Sequence, residues 1–288
     1  VGITDVGEKE NEKTAFHRLL ERIDISGSLI TADAMATDQY IMSDITKRGG
    51  DFIFQVKQNN PEMYRELFLE MELLLKEIEK EKTLSSPEEK NEGYQNAIRT
   101  YSHCKSNETN SGRVEYRECH VTHEVDLIDA AKGKGYLLGT IGTIEQIRIP
   151  QERSADGEDI TPDKTVFLKK MKKTDENEAS DEHDTIQRIG IISSQILTAE
   201  EALHLRRSYW SIENQLHYVL DQTFGEDRDR SIKNHYRMAV LRRFAYNVTR
   251  IVEKREKAKG TLGAICYEFC DRVDYVEKYV FKGIRSFY

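Results

Sequence analysis

Residues 28–56 read SLITADAMATDQYIMSDITKRGGDFIFQV, and the pattern of this stretch decides the fold class. The apolar run 28–32 predicts a short strand, and the run 52–56 predicts a second one. Between them, residues 38–48 predict a helix that ends at the glycine pair 49–50. Strands that alternate with a helix over short connections are typical of an α/β sheet with a parallel component. We therefore predict an α/β fold.

The sequence around this stretch predicts helices at both ends and strands in the middle. Residues 11–24 favour an amphipathic helix, and Pro61 opens a long helix that is rich in Leu and Glu. Residues 95–195 hold several strand-like runs and indicate a β-rich block, in which we expect the stretch 105–111 to be an exposed loop. From Thr198 onward the pattern is helical again, with Thr198 as the predicted N-cap.

The composition indicates a globular chain with a heavily solvated surface. Of the 288 residues, 38% are hydrophobic and 33% are charged, and no stretch approaches the roughly 20 apolar residues that a membrane helix needs. The four cysteines are too few and too scattered for a disulfide scaffold, and the first residues lack the apolar core of a signal peptide. We therefore expect a cytoplasmic protein that does not contact the membrane.

Charge is unevenly distributed along the chain. The formal net charge is -8, which by itself argues against a nucleic-acid binder. However, residues 228–257 hold ten Lys and Arg against three acids, a local net charge of +7, whereas residues 151–184 have a local net charge of -5. This separation allows one face to approach phosphates while the whole chain stays acidic.

Two acids stand where carboxylate chemistry is expected. Asp33 directly follows the first predicted strand, and α/β folds place their sites just past such strand ends; a helix-cap or turn aspartate is the alternative. Glu213 lies on a predicted helix, where Arg206, Trp210 and His217 share its ridge at helical spacing. Such a ridge could hold a metal ion and a phosphate, and a solvated helix with an ordinary salt bridge is the alternative.

Several motifs then resemble one known family. The string YWSIENQLHYVLDQTFGEDRDR (209–230), with AVLRRFAYNVTR (239–250) after it, resembles the C-terminal signature of DDE-type transposases of bacterial insertion sequences, the group that includes the H-repeat-associated proteins. Upstream, LITADAMATD (29–38), FIFQVKQNNPEMY (52–64) and SGRVEYR (111–117) are similar to further segments of that family. The positions that match the signature are Arg207, Trp210, Ile212, Glu213, Asn214, Leu216, His217, Leu220, Asp221, Phe224, Glu226 and Asp227.

The resemblance implies an RNase H-like fold in which Asp33 is the second and Glu213 the third acid of a DDE triad. Both would be catalytic and both would be metal ligands, with Mg²⁺ (or Mn²⁺) as the cofactor. In this chemistry one metal ion activates water or a 3′-hydroxyl, and a second ion stabilises the leaving oxygen. The implied activity is metal-dependent DNA cleavage and strand transfer at the ends of an insertion sequence.

The resemblance also implies DNA contacts and partners. The implied partners are double-stranded DNA, as element ends and as target, and a second copy of the chain in a homodimer, in a bacterial cytoplasm where the protein acts on the nucleoid. Arginine and lysine on phosphates, with an aromatic ring against an unstacked base, are a common way to hold a distorted end. The residues predicted to bind DNA are Lys57, Asn59, Arg113, Arg207, Trp210, Asn214, His217, Arg228 and Arg230.

With this resemblance, the chain is predicted to have three parts. Residues 1–94 would be the N-terminal part of the RNase H-like catalytic core, residues 95–195 a β-rich insertion, and residues 196–288 the C-terminal helical part with the Glu213 helix and the basic helices. The 180 positions between Asp33 and Glu213 accommodate such an insertion.

One acid of the triad is not found in the sequence. The first acid normally ends the opening strand, several tens of residues before the second, and only 32 residues precede Asp33. Asp5 stands in a polar segment with no strand before it and is not assigned. We therefore expect an N-terminally truncated transposase that is inactive by itself. The alternatives are a non-catalytic DNA-binding remnant and a soluble α/β protein with no DNA role, which the acidic net charge favours.

Overall fold

The computed structural model describes residues 12–32, 34–83, 92–110, 113–153, 159–160, 164, 186–228, 230, 234–256 and 261–282. The chain divides into two compact units, one formed by residues 4–207 and the other by residues 208–288. Among the described helices, none is both long enough and apolar enough to cross a membrane.

A six-stranded sheet forms the centre of the larger unit. Its strands are β1 (Leu29–Ala32), β2 (Asp51–Val56), β3 (Ser102–Asn110), β4 (Arg113–Thr122), β5 (Thr140–Pro150) and β8 (Ile186–Ser193), and a separate ladder pairs β6 (Glu152–Arg153) with β7 (Asp159–Ile160). The strand order is β1-β2-β8-β5-β4-β3, in which β1 and β2 are parallel and the other neighbouring pairs are antiparallel. The predicted mixed α/β fold is therefore confirmed.

Helices cover both faces of this sheet. On one face lie α1 (Glu12–Arg22), α2 (Gln39–Lys47), α3 (Pro61–Thr83) and α4 (Glu92–Thr100), and on the other lies α5 (Ala199–Ile212), which begins in the larger unit. Strand β2 is buried on both sides, which explains its nearly continuous apolar sequence. Phe52 and Phe54 stack with ring centroids 5.1 Å apart in the α2–α3 core, while Ile53 packs in the core under α5.

Local sequence explains where two of these helices begin. The Asp38 carboxylate caps α2 by accepting a hydrogen bond from the Tyr40 backbone at 2.9 Å. At the start of α5, the Glu201 carboxylate accepts from the Thr198 backbone at 2.8 Å, and the Thr198 hydroxyl accepts from the Glu201 backbone at 3.3 Å. This reciprocal pair is the predicted capping box, and it is confirmed.

The prediction of an exposed loop over residues 105–111 is wrong, because residues up to Asn110 belong to β3. This strand reads SHCKSNETN, so it lacks the alternation of apolar residues by which strands are recognised. It pairs with β4 along its whole length, from Ser102 opposite Val121 to Asn110 opposite Arg113. The β-rich stretch therefore extends the same sheet that β1 and β2 begin.

The smaller unit is helical in its described residues. It contains the end of α5, a π-helical segment (Glu213–His217), α6 (Tyr218–Gln222), α7 (His235–Glu256), α8 (Leu262–Asp271), a short turn of helix (Val273–Tyr275) and a second π-helical segment (Val276–Lys282). Val252, Ile265 and Tyr279 form its small core, against which Val248 packs. The predicted division at residues 94 and 195 stays a prediction.

Candidate functional site

The carboxyl end of β1 is the first place where catalytic chemistry is predicted. Strand β1 ends at Ala32, and Asp33, the predicted second acid, lies outside the described residues. A 3₁₀ turn over Ala34–Ala36 follows. Because β1 and β2 are parallel, their carboxyl ends meet at the same edge of the sheet, where α/β folds place ligand sites.

Two side-chain hydrogen bonds hold the loop after β1 against the end of β2. The Asn59 amide donates to the carbonyl of Ala34 at 2.6 Å, and the Thr37 hydroxyl donates to the carbonyl of Gln55, also at 2.6 Å. Asn59, which is predicted to bind DNA, therefore uses its amide to fix the backbone next to Asp33. This contact gives Asn59 a positioning role that the sequence did not indicate.

Glu213, the predicted third acid, begins the π-helical segment that follows α5. A π turn forms i→i+5 hydrogen bonds, and single π turns inside α-helices are frequent at functional sites. The carbonyl of Gln215 in this turn accepts from the Tyr246 hydroxyl at 2.8 Å and from the Arg250 guanidinium at 3.3 Å, both on α7. The backbone that carries Glu213 is thus held by a second helix.

The side chains of the predicted ridge around Glu213 differ in solvent exposure where the structure describes them. Arg206 is only 5% exposed, whereas His217 is exposed at the end of the π-helical segment. A π turn interrupts the 3.6-residue period on which the predicted spacing rested. The side-chain placements of Trp210, Glu213 and Asn214 lie outside the described part of the chain.

The remaining residues predicted to bind DNA fall into two groups. Arg113 forms an ion pair with Glu115 at 2.9 Å, and Arg207 forms one with Glu108. Lys57, Arg228 and Arg230 have exposed side chains. Their roles in DNA binding stay predictions.

Part of the basic stretch 228–257 is used inside the smaller unit. Arg243 pairs with Glu226 at 2.6 Å, and Arg250 pairs with Glu253 at 2.8 Å. Glu253 is already included in the count for this stretch, but Glu226 lies outside it and compensates one further cation. The local net charge of +7 therefore overstates the charge that α7 can offer to phosphates.

Three acids that match the family signature lie around the end of α6. Burial, together with the neighbouring carboxylates of Asp227 and Glu226, raises the pKa of Asp221 above its usual range. Arg243 offsets part of this repulsion through its pair with Glu226. Asp221 is thus easier to protonate in the folded chain than an ordinary aspartate.

A charged network that the sequence analysis did not assign lies between strands β3–β5 and α5. We call it the arginine network; its members are Arg113, Arg117, Arg148, Arg206, Arg207, Glu108, Glu115 and Gln146. Glu115 is buried, and it pairs with Arg117 and accepts from the Gln146 amide at 3.2 Å. Burial, then repulsion from Arg117 and Arg148, lowers the pKa of Arg206 to about 10.

One sequence signal could have located this network. Arg113, Glu115 and Arg117 stand at alternating positions of SGRVEYR, which places all three on one face of β4. The burial of Arg206 had no comparable signal, because arginine is seldom buried and the helix pattern placed it at the edge of the apolar face.

On the opposite face of the same strands, three side chains could hold one metal ion. They form the histidine group, which consists of His103, Glu118 and His120. Glu118 lies 2.9 Å from His103 and 3.0 Å from the Lys105 ammonium, and although burial alone would raise its pKa, these hydrogen bonds lower it. The two imidazole rings stack with centroids 4.5 Å apart at 16°, and their Nε2 atoms lie 2.9 Å and 3.5 Å from the same Glu118 oxygen. This geometry favours an ion-pair cluster, and its nitrogen ligands do not suit Mg²⁺.

Known proteins resemble this chain over most of its length. A family model described as "Transposase DDE domain" matches residues 2–248. The "H repeat-associated putative transposase YhhI" of Escherichia coli (strain K12) is 30% identical over 230 residues, which are 79% of this chain and 48% of that protein. The "Putative transposase YncI" of Escherichia coli O157:H7 is 25% identical over 277 residues, 90% of this chain and 56% of that protein. The chain thus spans about half the length of the curated relatives it matches.

Proposed function

This chain belongs to the DDE transposase family, and from that premise we propose that it takes part in metal-dependent DNA cleavage and strand transfer at the ends of an insertion sequence. The family match over residues 2–248 carries the proposal, since it includes both Asp33 and Glu213. An RNase H-like arrangement is part of the proposal. The mixed sheet, with β1 and β2 parallel, supports it.

In this proposal Asp33 and Glu213 are the second and third acids of the triad, and their neighbours position them. Asn59 holds the loop after Asp33 by its hydrogen bond to Ala34. Tyr246 holds the π turn that carries Glu213 by its hydrogen bond to a backbone carbonyl. Catalytic groups must be held to within about 0.5 Å, and contacts of this kind from neighbouring elements supply that precision.

The donor chemistry of the two acids fits Mg²⁺ or Mn²⁺. Carboxylate oxygens are the ligands that these ions prefer, and the ions keep further positions for water and phosphate. When bound, they supply Lewis-acid activation of the attacking oxygen and stabilisation of the leaving oxygen. Asp33 and Glu213 would hold them, and the histidine group would not.

The test measures Mn²⁺ binding to the whole chain, from the electron paramagnetic resonance signal of free Mn²⁺, with and without a DNA duplex. Asp33→Asn and Glu213→Gln are each expected to weaken binding at least about tenfold, because each removes one carboxylate ligand. Glu72→Gln, which changes an exposed acid on α3, is the matched control and should leave binding unchanged. Unchanged Mn²⁺ binding in both acid variants would contradict the proposal.

The same samples report DNA nicking on a supercoiled plasmid. Nicking that both acid variants abolish would support the proposed catalysis and would overturn the expectation that this chain is inactive alone. DNA binding without nicking would favour the alternative of a non-catalytic DNA-binding protein. Its strong dependence on salt would separate such binding from nonspecific adsorption.

A further inference from the structure

The arginine network holds more positive charge than its own carboxylates balance. Five guanidinium groups meet two carboxylates, a formal net charge of +3 among the described members. The single carboxylate of Glu115 pairs with three arginines, namely Arg117, Arg113 at 2.9 Å and Arg148 at 3.7 Å. Uncompensated cations in a mostly buried position are costly, so a further anion would stabilise this arrangement.

Four buried polar atoms at this place have no hydrogen-bond partner within the described part of the chain. They are the Nε atoms of Arg117, Arg148 and Arg206 and the hydroxyl of Ser106. Each comes from a different element, namely β4, β5, α5 and β3, and the β3 and β4 members stand opposite each other in the register. Three of the four atoms are N–H donors, so the group that suits them is an acceptor with several oxygens.

The network can be reached from solvent between β3 and α5. Ser106 and Arg117 line a cavity of about 260 Å³ together with Lys164, and Ser106 and Arg207 line a second one of about 410 Å³ together with Glu200. Each volume is many times the roughly 30 Å³ that one water molecule occupies, so a tetrahedral oxyanion can enter. Guanidinium groups match such an anion well, because their planar fork donates two parallel hydrogen bonds to neighbouring oxygens.

The register of the sheet gives the distance between the network and the end of β1, where the catalytic chemistry is expected. Strand β5 runs in the same direction as β1, because both β2 and β5 are antiparallel to β8. Through the paired residues Phe54, Ile192 and Ile141, the end of β1 at Ala32 is level with the start of β5, so Arg148 lies seven positions farther along β5, roughly 23 Å at about 3.3 Å per residue. With β2 and β8 between them, β1 and β5 are roughly 14 Å apart at about 4.8 Å per strand, so Arg148 is roughly 27 Å from the end of β1, a distance that about eight nucleotides of a strand span.

We propose that the arginine network binds one phosphate group of the DNA strand that is processed at Asp33 and Glu213. This inference rests on the proposed function, since it takes DNA as the substrate. Arg117, Arg148 and Arg206 supply the donors, and Ser106 supplies the hydroxyl. The network would hold the DNA about eight nucleotides away from the reacting phosphate.

The test measures binding of a short fluorescein-labelled duplex to the whole chain by anisotropy, over a series of salt concentrations. Arg148→Gln is expected to weaken binding about tenfold and to lower the slope of log K against log salt by about 1, because one phosphate contact is lost. Arg206→Met is expected to act in the same direction. Arg188→Gln, on β8 and paired with Glu145 at 3.2 Å, is the matched control and should change neither quantity.

Competition with inorganic phosphate distinguishes a site for a DNA phosphate from a site for a free oxyanion. It should displace the duplex from the wild-type chain more strongly than chloride at equal ionic strength, and it should lose this advantage with Arg148→Gln. If phosphate raises the Tm of the wild-type chain but the variants keep full duplex affinity, the network takes a free oxyanion and the assignment to DNA is overturned. Unchanged affinity and slope in both variants, without displacement by phosphate, overturns the site itself.

Two further arms keep the outcome interpretable. Arg148→Lys keeps the charge and loses the fork, so it should restore the salt slope but only part of the affinity. The competition on the wild-type chain needs no variant, and it decides the matter if Arg148→Gln does not fold. Mn²⁺ binding by Asp33 and Glu213 is measured separately, so failure of the proposed metal site and failure of this phosphate site are distinguishable.

Discussion

Strands β3, β4 and β5 carry charged side chains on both faces, and the two faces solve the problem of burying charge differently. On the face toward α3, Glu118 is shared by His103 and Lys105 in a cavity of about 840 Å³. On the face toward α5, the buried Glu115 is surrounded by an excess of guanidinium groups. The first arrangement is balanced by its own residues, whereas the second holds more guanidinium groups than carboxylates among the described residues. Four substitutions or titrations can break or sharpen this contrast.

The largest effect is expected from removal of the buried carboxylate. Glu115→Gln leaves Arg117 and its neighbours without their main counter-charge, and breaking a buried pair in this way costs about 3–5 kcal/mol. Glu118→Gln is the matched change on the other face and should cost about 1 kcal/mol or less, since its partners reach solvent. Urea unfolding of both variants provides the comparison. Equal losses would show that the two faces do not differ.

A gain in stability is expected from removal of one buried cation. Arg206→Met keeps an unbranched side chain, although a shorter one, and removes a charge that Arg117 and Arg148 repel, so stability should rise by about 1 kcal/mol in phosphate-free buffer. Thermal unfolding at fixed pH measures it. Addition of phosphate should narrow the difference, because the anion stabilises only the wild-type network. A clear loss of stability would mean that Arg206 is already compensated.

A pH dependence is expected from the face toward α3. Burial, then the neighbouring His103, lowers the pKa of His120, so the unfolded chain binds more protons than the folded one. The contribution of His120 is therefore present above the unfolded pKa of about 6.5 and is lost as the pH falls through it. Between about pH 7.5 and 5.5, His120→Gln should lose less stability than the wild type. An identical pH profile for the two proteins would contradict this prediction.

The smallest effect is expected from the exposed lysine of the same face. Lys105 is 65% exposed in its pair with Glu118, and exposed ion pairs contribute about 0.5 kcal/mol or less. Lys105→Gln should therefore change the urea midpoint barely at all. A loss of stability comparable with that of Glu115→Gln would show that charge on the face toward α3 is as important for stability as charge on the face toward α5. Arg188→Gln, a similarly exposed pair, serves as the reference.

Apolar patterning predicted the elements that build the core. The strand before Asp33, helix α2 and strand β2 appear within one or two residues of their predicted bounds, because alternating burial and glycine or aspartate caps leave clear signals. The capping box at Thr198 was recognised for the same reason. For these elements, the sequence pattern therefore predicted where each strand or helix begins and ends.

The features that escaped prediction depend on contacts between distant residues. The π turn that begins at Glu213 is held by Tyr246 and Arg250, which lie over thirty positions away from Gln215 in the sequence. No local sequence pattern predicts this turn. The burial of Arg206 likewise depends on Gln146 and the β4 arginines. Long-range partners of this kind decide the candidate phosphate site, so a single sequence could indicate its family segment but not its geometry.

The polarity that hid β3 from prediction has a consequence for solubility. Among the described strands β3 is one of the two edge strands of the sheet, and an edge strand offers unpaired backbone groups to other chains. Its hydroxyl, amide and charged side chains, including Lys105 and Glu108, keep that margin hydrated and make stacking with a second sheet unfavourable. The least strand-like sequence in the sheet thus protects the chain against aggregation at this edge.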